Sequence, residues 1–268
     1  MLNYKTVYSD PSNEWIVFIH GAGGSLKTWK HQEDHFATHF NLLIVDLRDH
    51  GQSKNVDPAL SSYSFEIISK DIIHVMDYLK IAKAHFVALS LGSVIIQDLA
   101  TRYPEVVKSA VVAGGIFSAT RSLKIFIETA LLFNRFLPYQ LMYGLFSYLV
   151  MPRKRNQFAR KVYQKQAQLL KPSEYRKWLG LYSEFFGLIK GFYRNQIRFP
   201  MHVIMGEEDY IFLRGAHRFT NTQIKATITE IANCGHICNL ECPTHFNELA
   251  MSFLKEQMEF KQTAKHPV

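Results

Sequence analysis

Short unbroken apolar runs alternate with longer stretches of helical spacing through the first 116 residues. Trp15–Ile19, 42–45, Ala84–Leu89 and 106–113 read as buried strands, each too short and too uniformly apolar for a surface helix. Between them, 60–79 and 91–103 repeat apolar residues at three- and four-residue steps, and Pro104 stops the second helix. The alternation returns with strands at 201–205 and 225–231 and a closing helix over about 244–258. The tail, 261–268, is expected to fray. Strands interleaved with helices predict an α/β architecture: a mainly parallel central sheet flanked by helices on both faces.

From 117 to 198 the alternation stops. This segment is aromatic, basic and helix-prone, punctuated by Pro138, Pro152 and Pro172. It predicts an inserted helical cap over the C-terminal edge of the sheet, where open α/β sheets place their ligand crevice. The expected organisation is a core formed by 1–116 and 199–268, with the cap at 117–198.

The charge changes this picture little, because it belongs to one segment. The chain carries a formal +8, but residues 117–196 hold fourteen Lys/Arg against three acids, +11, which leaves −3 for the rest. No zinc-finger spacing, RNA-recognition signature or recognition-helix motif accompanies it, so no nucleic-acid partner is expected. A basic face interleaved with aromatics can meet an anionic membrane surface or acidic substrates as readily as nucleic acid, and a solvated outer face of helices that bury their aromatics inward is the preferred reading. The 47% hydrophobic and 20% charged content is that of an ordinary globular protein. The first fourteen residues lack the apolar centre of a signal peptide, and no 18-residue apolar run is present. Cys234, Cys238 and Cys242, the three cysteines, fall within nine residues. They cannot form a disulfide framework, and a reducing cytoplasmic setting, with contact to a membrane periphery left open, is expected.

Candidate chemistry collects where strands end. In Phe86-Val87-Ala88-Leu89-Ser90-Leu91-Gly92-Ser93 an apolar strand gives way abruptly to an apolar helix. A serine exposed on such a turn becomes a nucleophile when a histidine accepts its proton and a carboxylate orients that histidine. The competing reading makes Ser90 the N-cap of the following helix. Asp209 and His236 follow Ser90 in the chain, each just past a strand. His20-Gly21-Ala22-Gly23-Gly24-Ser25 lacks the Gly-Lys-Ser/Thr ending of a nucleotide P-loop and the spacing of a dinucleotide fingerprint.

At these residues the sequence resembles the α/β-hydrolase fold superfamily, over about 15–102 and 199–258. Ala88-x-Ser90-x-Gly92 departs from the usual Gly-x-Ser-x-Gly elbow at its first position, where alanine is the next smallest side chain. The resemblance implies the order Ser90, Asp209, His236 as nucleophile, acid and base. Asp209 follows Gly206 by three positions, and His236 follows Gly235 after the last strand. It assigns the oxyanion-hole amides to Ala22 and Leu91, donors worth about 3 kcal/mol each in comparable sites. Asp46-x-Arg48-x-x-Gly51-x-Ser53 resembles a loop that shapes the site, with Asp46 and Arg48 expected to pair or to bind loop backbone. Asp49 and His50 precede the nucleophile and break the expected order, so neither is assigned chemistry. His20 is expected to be a packed loop residue. Glu207 and Glu208 are expected on the surface. Four-residue steps at the cysteines suggest small buried side chains rather than paired zinc ligands. No cofactor or metal is implied, since a triad with an oxyanion hole suffices.

The cap is the guide to substrate. Phe126, Leu131, Leu132, Phe133, Phe136, Leu137, Leu141, Met142, Leu145, Phe146 and Leu149 form an apolar series, followed by Arg153-Lys154-Arg155. Acyl or lipid-like esters fit it better than sugars or peptides, and a serine hydrolase of the esterase or lipase kind is expected. The same helices could instead face lipid or form a homodimer interface. Fold and triad also serve carbon–carbon bond hydrolases and lyases, the latter with an added charge in the pocket, and slow-turnover ligand receptors. A dehalogenase would need a carboxylate where Ser90 stands.

Overall fold

The computed structural model describes residues 1–118, 121–133 and 136–264. Seven strands form one sheet: β1 (Tyr4–Val7), β2 (Trp15–Ile19), β3 (Asn41–Val45), β4 (Ala84–Leu89), β5 (Val107–Ala113), β6 (Met201–Gly206) and β7 (Ala226–Ile231). Their spatial order is β1-β3-β2-β4-β5-β6-β7, and every pair is parallel except the antiparallel β1–β3 edge. Every residue of β3, β4 and β6 is buried. A strand buried on both sides needs cover on both faces, which explains why these segments are apolar runs rather than alternating patterns. β1 escaped the sequence reading because it is a half-exposed edge strand of mixed composition.

Around the sheet lie α1 (Glu33–Ala37), α2 (Phe65–Tyr78) and α3 (Leu91–Arg102). Between β5 and β6 come α4 (Arg121–Phe133), α5 (Tyr139–Val150), α6 (Gln157–Ala167), α7 (Pro172–Gly180) and α8 (Tyr182–Arg194). The last three are α9 (Leu213–Thr220), α10 (Cys238–Glu241) and α11 (Pro243–Ala264). The helix expected over 60–79 begins five residues late. Ser64 is its N-cap, its hydroxyl accepting from the Ile67 amide at 3.2 Å, which satisfies one of the amides a helix start leaves open. The closing helix is longer than expected and runs through Ala264, so the tail expected to fray starts as helix, and 265–268 lie outside the described residues. The side chain of Phe126 also lies outside them.

The strand order positions the site. From β2 the chain steps outward to β3, then crosses back to place β4 on the other side of β2. At this reversal the loops after β2 and β4 diverge and leave a crevice at the strands' C-terminal ends. Those loops are His20–Ser25 and the turn at Ser90.

Candidate active site

Ser90 joins β4 directly to α3 with φ 51° and ψ −117°, a conformation that side-chain-bearing residues rarely adopt. Ser90 does stand at the N-cap position of α3, but its side chain makes no capping bond, so its hydroxyl is not spent on capping. Three contacts hold the turn. The Ser90 amide donates to Ala113 O at 2.9 Å. The Ser93 hydroxyl donates to Ser90 O at 2.6 Å and accepts from the Ile116 amide at 2.9 Å. The helix meets the sheet so closely that a Cβ at Gly92 would sit 2.6 Å from Ile19 O and 3.2 Å from the Ala88 Cβ. Ala88 therefore fits the elbow's first position, and a larger side chain would press on the same contact.

His236 Nε2 lies 2.9 Å from Ser90 Oγ, and its Nδ1 lies 2.7 Å from Asp209 Oδ2. An ionised carboxylate can only accept, so Nδ1–H donates to Asp209 and Nε2 is left to accept from the Ser90 hydroxyl. Asp209 is fully buried, and its other oxygen accepts from the Phe212 amide at 3.1 Å. The three residues singled out by chain order and loop position are thus one hydrogen-bonded chain. A fourth went unnoticed in the sequence. Gly114, at the end of β5, has φ +55°, and a Cβ there would lie 2.4 Å from His236 O and 3.1 Å from its ring Nδ1. The only advance signal was the Gly114-Gly115 pair closing an apolar run.

The amides of Ala22 and Leu91 make no hydrogen bond within the protein among the described residues, and both residues line the cavity that Ser90 faces. The Ala22 loop is held by two histidines. His20 donates from Nδ1 to Gly21 O at 2.8 Å and accepts at Nε2 from the Leu47 amide at 3.0 Å. His50 donates from Nδ1 to Arg48 O at 2.7 Å and accepts at Nε2 from the Gly23 amide at 3.0 Å. Each ring thus ties its own loop to the neighbouring one. Both bond sets require neutral imidazoles, and burial lowers the pKa of His20 to about 4 and that of His50 well below its usual value.

The neighbouring loop departs in part from expectation. Asp46 binds backbone, accepting from the Leu26 amide at 2.7 Å and the Gln52 amide at 2.8 Å. Arg48 pairs with Asp71 on α2 rather than with Asp46. Asp49 accepts from the Tyr63 hydroxyl at 2.7 Å, away from the His50 ring nitrogens. Glu208 is no surface carboxylate. It is buried, 3.3 Å from Arg155 of the segment between β5 and β6, because the exit from β6 lies under that segment. Cys234 and Cys238 are buried and Cys242 is half-buried. Burial pushes the Cys234 and Cys238 thiols up, which makes them poor nucleophiles. No group of three His, Cys, Asp or Glu among the described residues is placed to hold a metal ion.

Two chambers meet at Ser90. The larger, about 190 Å³, runs under α4, α5, α7 and α8, with Leu123, Ile127, Met142, Phe146, Trp178 and Phe185 among its walls. The smaller, about 90 Å³, lies on the His236 side and has Lys27 and Gln166 among its lining residues. Ala22, Ser90, Phe146 and Tyr163 border both. Among the described lining residues of the larger chamber there is no Lys, Arg, Asp or Glu. None of the described cations of residues 117–198 is among its lining residues.

A parallel sheet with the Ser90 turn at its switch point defines the α/β-hydrolase architecture, and the comparisons agree. The family model for the alpha/beta hydrolase fold matches residues 14–200, and the chain belongs to that family. Over 103 residues the chain is 32% identical to ethanol acetyltransferase 1 of Wickerhamomyces anomalus, covering 38% of this chain and 25% of that one. Over 112 residues it is 29% identical to 3-oxoadipate enol-lactonase 2 of Acinetobacter baylyi, covering 42% and 40%. The chain thus spans well under half the length of these curated relatives. The enol-lactonase of Burkholderia xenovorans superposes with a TM-score of 0.77 at 21% identity, over 95% of this chain and 96% of that one, which shows the shared fold.

Proposed function

We propose that the protein is a serine hydrolase acting on carboxylic esters with an apolar acyl group, and that residues 117–198 form the cap that shapes its acyl pocket. The observation that carries this reading is the Ser90–His236–Asp209 chain opening onto an apolar chamber. Ser90 Oγ attacks the acyl carbonyl as His236 Nε2 takes its proton. Asp209 holds the imidazole tautomer and stabilises the imidazolium. The Ala22 and Leu91 amides donate to the tetrahedral oxyanion. As that intermediate collapses, the C–O bond to the alcohol breaks and His236 returns the proton to the leaving oxygen. A water, deprotonated by His236, then attacks the acyl-Ser90 ester and frees the acid. In this reading the acyl chain lies in the larger chamber and the alcohol in the smaller one, beside Lys27 and Gln166.

The test is initial rates on p-nitrophenyl esters from acetate to palmitate, with Ser90→Ala alongside. Wild type should prefer a chain longer than acetate, and Ser90→Ala should lower kcat by on the order of 10⁴-fold or more. Folded protein with no Ser90-dependent turnover at any chain length would remove the ester reading.

A further inference from the structure

The helices over the larger chamber have a second face. α4 and α5 turn Leu123, Ile127, Met142 and Phe146 toward the cavity. From the same stretch Ile125, Leu132, Phe136, Leu141 and Leu145 are exposed, with Phe136 75% and Leu132 68% accessible. α6 lies beside α5 through the Tyr143–Tyr163 ring contact at 5.5 Å, and it adds exposed Phe158. Large apolar side chains clustered on one face of a folded protein mark a contact surface.

The charges on the same stretch decide what it contacts. Residues 117–173 contain ten Lys/Arg and one acid, Glu128. That acid is already engaged, 3.7 Å from Lys124 and accepting from the Tyr182 hydroxyl at 3.0 Å. A second copy of the chain is a poor occupant, because a two-fold interface sets a surface against itself. Eight of these cations are exposed among the described residues, with Arg153 and Arg155 also near the buried Glu208, and a two-fold contact would set like charge against like with little exposed acid to offset it. An anionic bilayer supplies what both features lack: an acyl boundary for the apolar side chains and negative headgroups for the exposed Lys/Arg. No helix among the described residues is long and apolar enough to cross a membrane, which leaves contact in the interfacial plane.

We propose that the outer face of α4–α6 docks the protein onto an anionic membrane surface, with the larger chamber directly behind the docked helices. Such a contact would bring the chamber to where apolar esters partition. It does not depend on the chemistry of Ser90.

Sedimentation of the full chain with two vesicle compositions tests the docking. One is phosphatidylcholine alone, and the other contains about 30% phosphatidylglycerol, each in about 0.1 M salt. Partitioning should be at least about ten-fold stronger on the anionic vesicles. Leu132→Asp/Phe136→Asp and Lys154→Glu/Lys161→Glu should each weaken it by about ten-fold or more. These positions are exposed, so melting temperatures should stay at the wild-type value. Ser90→Ala should bind as wild type does, which separates this outcome from any failure of the ester reading. Equal binding to both compositions, or to neither, would overturn the proposal without recourse to any variant. So would a concentration-dependent dimer, seen by ultracentrifugation, that Leu132→Asp/Phe136→Asp abolishes while vesicle binding stays absent.

Discussion

Gly114 shows how a residue with no functional group can govern the placement of one that has one. Its missing side chain is the space in which the His236 backbone and ring sit, and its positive φ bars other residues from filling that space without strain. Gly114→Ala should therefore displace the imidazole from both Ser90 and Asp209. We expect kcat to fall by about 100-fold or more with a lowered melting temperature, measured by ester kinetics and thermal unfolding. Unchanged kcat in a folded variant would show that the ring does not depend on this seat. Removing the orienting carboxylate is a separate case: Asp209→Asn should keep the fold and lower kcat by on the order of 10⁴-fold, through the wrong imidazole tautomer. That Ser90, Asp209 and His236 would come together was legible in the sequence, because each lies just past a strand and their order is distinctive. Gly114 and Ser93 were not, since a glycine after a strand reads as any turn, and Ser93 acts through an amide brought near only by folding.

Among the elements, those of the sheet were the easiest to foresee, because burial on both faces leaves an apolar run with sharp ends. β1 was invisible for the converse reason: an edge strand satisfies its backbone on one side only and tolerates polar residues. The segment between β5 and β6 read correctly as helix-prone. Its five helices could not be separated in advance, because apolar residues lie on both their inner and outer faces and blur the helical period. Each face now has its own expected role. If the inner face sets chain length, Leu123→Trp on α4 should shorten the acyl pocket. We expect activity on octanoate relative to acetate to drop by about ten-fold. A matching change on the outer face, Leu132→Trp, should leave that ratio at its wild-type value. A ratio unmoved by Leu123→Trp would place the acyl chain elsewhere.

For the whole molecule, stability should depend on acid in a defined direction. Burial lowers His20 and His202 to about 4 and depresses His50 as well, whereas the unfolded chain titrates near about 6.5. Between those values the unfolded state binds more protons. Folding stability is therefore complete above pH of about 6.5 and falls as pH drops toward about 4. Urea unfolding at neutral pH and about pH 5 should show this loss, and His202→Gln should lessen it without touching the loops at Ser90. The sequence foretold a parallel sheet but not its strand order, which is set by contacts between segments far apart in the chain. Charge is distributed just as unevenly. With +11 on residues 117–196 and −3 on the remainder, the protein carries a permanent electric dipole whose positive end is the segment over the chamber. A dipole is torqued by a field before anything touches. Near any negatively charged body, the molecule should therefore arrive already turned, so that added salt slows its capture more than it speeds its release.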